Sequence, residues 1–174
     1  MKRVGAAVSL ALTTAFVVVP HAYADDRRCS GTIRGASIDG NVVVPSGKTC
    51  RLIGTRVDDN VLVKGNATLV ARGVRVGGNI QAENHDRVVV RPRNVGGRGI
   101  RSRVGGSIQL KQGGGGRLLR NSVNGDIQLF SNDGRFEVRR NRVDGNLQCK
   151  SNNPRPIGAS NVVEGNKEDQ CRSL

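Results

Sequence analysis

The sequence predicts an all-β chain wound into a right-handed parallel β-helix, a solenoid of about seven coils of 19–20 residues stapled by disulfides at both ends. Three observations carry this reading. First, one phrase recurs: RVGGNIQAEN begins at Arg75, RVGGSIQLKQ at Arg103, SVNGDIQLFS at Ser122 and RVDGNLQCKS at Arg142. Second, the apolar letter that anchors the phrase falls at Ile38, Val57, Val76, Val104, Val123, Val143 and Val163, in steps of 19, 19, 28, 19, 20 and 20 residues. A fixed period near 20 marks a repeat architecture rather than an ordinary globule. Third, aromatic residues make up 2% of the 174 residues and Trp is absent. The core must therefore be filled by Val, Ile and Leu, which suit strands.

The columns of the repeat give the local structure. Two residues after the anchor stand Gly40, Asp59, Gly78, Gly106, Gly125, Gly145 and Gly165; three after it stand Asn41, Asn60, Asn79, Ser107, Asp126, Asn146 and Asn166. Gly-Asn is turn chemistry, with the glycine expected at positive φ. Four and six residues after the anchor come apolar pairs such as Val42 and Val44, Ile80 and Ala82, or Ile127 and Leu129. The residue between them is Val43, Leu62, then Gln81, Gln109, Gln128 and Gln148. That alternation is a strand with one buried face. One strand per coil cannot bury its apolar face alone. Stacking coil on coil, ~4.8 Å apart, closes the core. Crossovers between parallel strands favour the right-handed winding. The left-handed hexapeptide solenoid needs a six-residue sub-period, and leucine-rich repeats need L-x-x-L-x-L; neither occurs. An antiparallel sandwich is the remaining alternative.

In chain order, residues 1–24 read as a cleaved secretory signal peptide. Lys2 and Arg3 precede an apolar run to Val19, and Ala22-Tyr23-Ala24 is an A-x-A cleavage site. The run is short for a membrane span, and no cysteine stands at the cut to carry lipid. Residues 25–174 then form a single β-helix domain. The long step between Val76 and Val104 is read as a loop insertion over about 85–101, and Gly113 to Gly116 as a loosened corner. Three pairings of the four cysteines are possible. Cys29 and Cys50 are 21 apart, and Cys149 and Cys171 are 22 apart. Each spacing is about one coil, so these are the expected disulfides, one at either end. No C-x-x-C occurs, and no metal or cofactor is expected. After Gly165 the core pattern gives way to Lys167, Glu168 and Asp169, a polar lid.

The run from DGNVVVPSGKTCRLIGTRVDDNVLV through VGGNIQA and VNGDIQLF to VDGNLQCKSNNPRP and NVVEGNKEDQC resembles a group of small exported bacterial proteins. The resemblance spans the chain beyond residue 24. It implies a right-handed β-helix and a bacterial source, and it implies no activity. The winding is also similar to that of bactofilins, polymer-forming bacterial scaffolds that are cytoplasmic and lack a cleaved signal and cysteines.

The net charge is +14, and most of the excess is arginine. One residue before the anchor stand Arg56, Arg75, Arg103 and Arg142; three before it stand Arg101, Arg120 and Arg140. If this segment is a strand, both columns point outward on one face. Arg87, Arg91, Arg93 and Arg98 add charge in the loop. Two such cations ~5 Å apart in water repel by roughly 0.8 kcal/mol. A polyanion relieves that cost, and Arg forks match phosphate, sulfate and carboxylate. A solvated face that blocks sheet aggregation is the plainer alternative.

The expected function is thus a secreted or envelope-associated, non-enzymatic scaffold with an Arg-rich face for acidic envelope polymers or anionic surfaces. The chain is expected to be monomeric. Sequence-selective nucleic-acid binding is not expected, since it leans on aromatics. Two alternatives stand beside it: a β-helix polysaccharide-active enzyme, and a self-assembling bactofilin-like scaffold. The enzyme needs two facing carboxylates. Asp58, Asp59, Asp126 and Asp144 all fall in turn columns, and Asp126 with Glu137 is the pair to test. Ser107 has no histidine partner in the repeat, and His85 is expected to be solvated in its loop. The Gln column is expected to form a side-chain ladder, or alternatively a carbohydrate-contacting strip. Asn121, Asn141 and Asn161 are expected to form a turn ladder.

Overall fold

The computed structural model describes residues 26–174. The signal segment expected at residues 1–24 lies outside them, as does Asp25. The described chain is all β, without helix, and winds as a parallel β-solenoid of about eight turns. Each coil but the last contributes one strand to each of three faces, and the last contributes to one only.

Face one stacks Arg27–Arg28, Val42–Val44, Val61–Val63, Ile80–Glu83, Ile108–Lys111, Ile127–Phe130, Leu147–Lys150 and Lys167–Asp169. Face two stacks Thr32–Arg34, Thr49–Ile53, Thr68–Arg72, Arg87–Arg91, Gly115–Leu119, Phe136–Arg139 and Ile157–Ala159. Face three stacks the short pairs Ser37–Ile38, Arg56–Val57, Arg75–Val76, Arg103–Val104, Ser122–Val123, Arg142–Val143 and Val162–Val163. Every pairing between coils is parallel and in register; Ile108, for example, lies over Ile80 and under Ile127. The rung at Arg27–Arg28 precedes the first anchor and pairs with Val42 and Val43. It raises the expected seven coils to about eight.

The core lies inside the three faces. Val42, Val61, Ile80, Ile108, Ile127 and Leu147 form one fully buried column on face one. Leu52, Ala71, Val90, Leu118 and Val138 do the same on face two, and Val57, Val76, Val104, Val123 and Val143 on face three. Branched aliphatics fit because each needs only to match the residue above and below it. The two disulfides form as the spacing predicted, Cys29 with Cys50 and Cys149 with Cys171, with Cα atoms 5.4 and 5.2 Å apart.

Polar ladders hold the corners. Asn121, Asn141 and Asn161, all buried, line the inside of the corner between faces two and three. Asn121 Nδ2 donates to Asn141 Oδ1 at 3.0 Å, and Asn141 Nδ2 to Asn161 Oδ1 at 2.9 Å. Each amide also donates to a backbone carbonyl of an earlier coil, Val90, Leu118 and Val138 respectively. The Gln column forms the expected ladder on the outside of face one. Gln81, Gln109 and Gln128 each donate to the next, and Gln148 donates to Glu168 Oε2 at 2.9 Å.

Four local expectations need correction. The glycines of the Gly-Asn phrase do not adopt positive φ. Their role is close approach: a Cβ on Gly106, Gly125 or Gly145 would collide with Asn79 Oδ1, Ser107 Oγ or Asp126 Oδ1 of the coil before. Positive φ falls instead at the other two corners, on Gly54, Gly73, Arg120 and Arg140 at one and on Asn66, Asn84, Ser131 and Ser151 at the other. The insertion is also smaller than residues 85–101. Arg87–Arg91 is a regular face-two strand, and only the antiparallel hairpin of Arg93–Val95 and Arg98–Ile100 leaves the coil, turning at Gly96-Gly97.

The other two corrections are linked. His85 is not solvated; it is 2% exposed. Gly113 to Gly116 is not loosened. A Cβ on Gly113 would strike the His85 ring, and one on Gly116 would strike the Val88 carbonyl and crowd the Phe136 ring. The four-glycine run is a rung emptied of side chains so that two large rings, one on either side, fit the core. The rings meet edge to face, with centroids 6.1 Å apart.

Candidate polyanion-binding site

The register of face three places the predicted arginines. Ser37, Arg56, Arg75, Arg103, Ser122, Arg142 and Val162 lie directly over one another, outside the coil. Arg56, Arg75 and Arg103 therefore occupy three successive rungs. Arg56, Arg75, Arg103 and Arg142 are all exposed.

The column one residue after the anchor decides which of these charges are compensated. It reads Asp58, Gly77, Gly105, Asn124 and Asp144. Arg56 Nε meets Asp58 Oδ1 at 2.7 Å. Arg142 meets Asp144 at 3.5 Å and also Glu164. Where the column holds glycine, Arg75 and Arg103 have no carboxylate partner among the described residues. The middle of the stripe is bare while its flanks are neutralised.

Arg120 and Arg140 are not on the face-three strand. Their φ angles of 52° and 55° put them in the turn that enters it. In earlier coils Gly35, Gly54 and Gly73 adopt the same left-handed conformation, two residues before the strand or its edge. An arginine there costs about 1 kcal/mol relative to an unstrained backbone. Arg101 follows the hairpin, and its Nη1 donates to the Arg140 carbonyl at 3.4 Å.

Two open clefts result, sharing Arg101. One, of about 350 Å³, is lined by Gly73, Arg75, Gly99, Ile100, Arg101 and Arg103. The other, of about 540 Å³, is lined by Arg101, Ser122, Arg140, Arg142, Ser160 and Val162. Arg120 adjoins them beside Arg140, near Glu137 and Arg139. Arg56 belongs to the stripe but lines neither cleft.

The carboxylates named for catalysis are not brought together. Asp126 sits in the outer corner ladder, where its Oδ1 accepts from the Asn146 backbone N–H at 2.7 Å. Glu137 lies outside face two and pairs with Arg139 at 2.9 Å and Arg117 at 3.4 Å. Asp58 and Asp144 serve the arginines of the stripe. Ser107 Oγ accepts from the Asp126 backbone N–H within the same ladder.

The sequence reading puts Arg91 and Arg93 in a loop; the column of arginines to which they belong escaped it. Arg34, Ile53, Arg72 and Arg91 stack outside face two, and Arg93 of the hairpin joins them. Their common step of 19 residues was visible. The face-three anchor, however, drew attention to a different column.

No protein-family model, no curated protein and no solved structure matches the chain. Among the described residues no helix is long and apolar enough to cross a membrane.

Proposed function

We propose that this protein is an exported, non-enzymatic solenoid that holds acidic polymers along the corner between faces two and three. The bare rungs at Arg75 and Arg103, flanked by Arg101 and Arg140 in contiguous clefts, carry the reading. A linear polymer with anionic groups fits such a ridge, since Arg75, Arg103, Arg120 and Arg140 offer cations on four successive coils. The backbone supports it further. Arginine stands in left-handed turns where glycine serves in other coils, and strain of this kind persists where function needs the side chain. Binding is electrostatic and unselective, so it weakens steeply with salt.

Retention of residues 25–174 on sulfated and phosphodiester-polymer matrices, read as the salt needed for elution, tests this. Arg75→Glu with Arg103→Glu lowers the eluting salt by more than the same charge change made at two exposed arginines away from the ridge. Arg120→Gly with Arg140→Gly separates charge from folding. That pair weakens retention while raising stability by about 0.5–1 kcal/mol each, because glycine relieves the left-handed turn. Unchanged retention in both pairs would mean that the stripe is only a solvated face.

A further inference from the structure

We propose a second, discrete site: a pocket for a single doubly charged oxyanion, a phosphate or sulfate group, under the hairpin on face two. The pocket holds about 420 Å³ and is lined by Arg34, Ile53, Arg72, Arg91, Pro92, Arg93 and Asn94. It contains four arginines and no carboxylate. None of the four forms an ion pair among the described residues, whereas Arg56, Arg117, Arg139 and Arg142 do.

Three features distinguish it from the exposed stripe. Arg72 and Arg91 lie directly over one another, one rung apart, and both are half-buried, as is Arg93. Water and salt therefore screen their repulsion less. Arg72 Nε and Arg91 Nε are buried and have no hydrogen-bond acceptor among the described residues. Burial, with the like charges of Arg72 and Arg117, lowers the pKa of Arg91. Left empty, the pocket keeps two buried donors unmet and like charges together. An oxyanion answers both at once, because its oxygens accept from guanidinium forks.

The pocket is also built to seat Arg93. Gly54 and Gly73 both adopt positive φ, and the Arg93 side chain crosses them so closely that a Cβ at either would collide with it. The glycine corners thus form the groove that holds the fourth cation in place. This site lies on the face-two side of the corner that carries the ridge; the two meet at Gly73, but no arginine lines both.

The test is thermal unfolding of the disulfide-bonded protein with inorganic phosphate or sulfate against sodium chloride at matched ionic strength. Phosphate is expected to raise the melting temperature saturably, beyond chloride. Arg72→Gln with Arg91→Gln is expected to weaken phosphate binding at least tenfold. It should also melt no lower than the parent without phosphate, since the repulsion is gone. Should that pair misfold, Arg93→Gln, on the hairpin, provides the same reading. Arg75→Glu with Arg103→Glu leaves the phosphate response unchanged, so this site and the ridge fail separately. A glycan bearing a terminal phosphate monoester competes if the natural source is a polymer end, and does not if it is the free ion; either result requires the pocket. A melting temperature that follows ionic strength alone, or a phosphate response equal in parent and variants, overturns the proposal.

Discussion

At the scale of single residues, the buried imidazole of His85 ties stability to pH. Burial lowers its pKa from 6.5 to about 4, and the nearby Asp86 carboxylate opposes this only in part. Neither ring nitrogen has a hydrogen-bond partner among the described residues, so the neutral form is the one that fits. The unfolded chain takes up a proton near pH 6.5, and the folded chain resists it down to about 4. The stability that His85 permits is full above pH 6.5 and is lost as pH falls through this window, by about 3 kcal/mol in all. Denaturant unfolding of the parent and of His85→Asn at pH 7.5, 5.5 and 4 checks this. The parent should lose more stability than the variant on acidification, with the gap opening below pH 6.5. A constant gap would show that the ring titrates normally.

At the scale of the element, the buried Asn ladder does the work that hydrogen-bonded strands leave undone at a corner. Asn141 Oδ1 accepts from the backbone N–H and the side-chain amide of Asn121, both at 3.0 Å, while its own amide satisfies the Leu118 carbonyl at 2.8 Å. Asn141→Ala strands a buried N–H and a buried C=O, a loss of about 2–4 kcal/mol. Gln128→Ala, in the outer Gln ladder where water replaces the bonds, should cost under about 0.5 kcal/mol. Equilibrium unfolding of the two variants side by side decides whether position or residue type governs.

The same contrast explains what could be read from the letters. Faces one and three were legible because one residue type recurs at one position: Val at the anchor, Ile or Leu four later, Gln between. The left-handed corners were not, since Gly, Asn, Gln, Arg and Ser all serve there and leave no common letter. The fit of His85 and Phe136 around the emptied glycine rung was hidden for another reason. It is a match between three coils, invisible within any one. The arginine ridge was half legible. Its face-three column followed from spacing, but the turn positions of Arg120 and Arg140 and the neutralising role of Asp58 and Asp144 needed the backbone.

At the scale of the whole molecule, stability is a sum over coils and their interfaces, and the end coils have a neighbour on one side only. The two disulfides close loops there, and each contributes about 3 kcal/mol in the chain-entropy account. Replacing Cys149 and Cys171 by serine should open the last coils first. Hydrogen exchange should quicken over Leu147–Asp169 while Ile80–Glu83 and Ile108–Lys111 stay protected. Uniform loss of protection would indicate one cooperative unit instead.

The outer corner ladder carries one more implication. It runs toward the start of the chain: Asn79 donates to Asn60, Asn60 to Asn41, and Asn41 Nδ2 to Asp26 Oδ1 at 2.9 Å. At the far end the Asn166 backbone N–H donates to Asn146 Oδ1. The row of side-chain amides thus has a direction, beginning on a carboxylate at one tip and closing on an asparagine at the other, so the two tips of the molecule are chemically unlike.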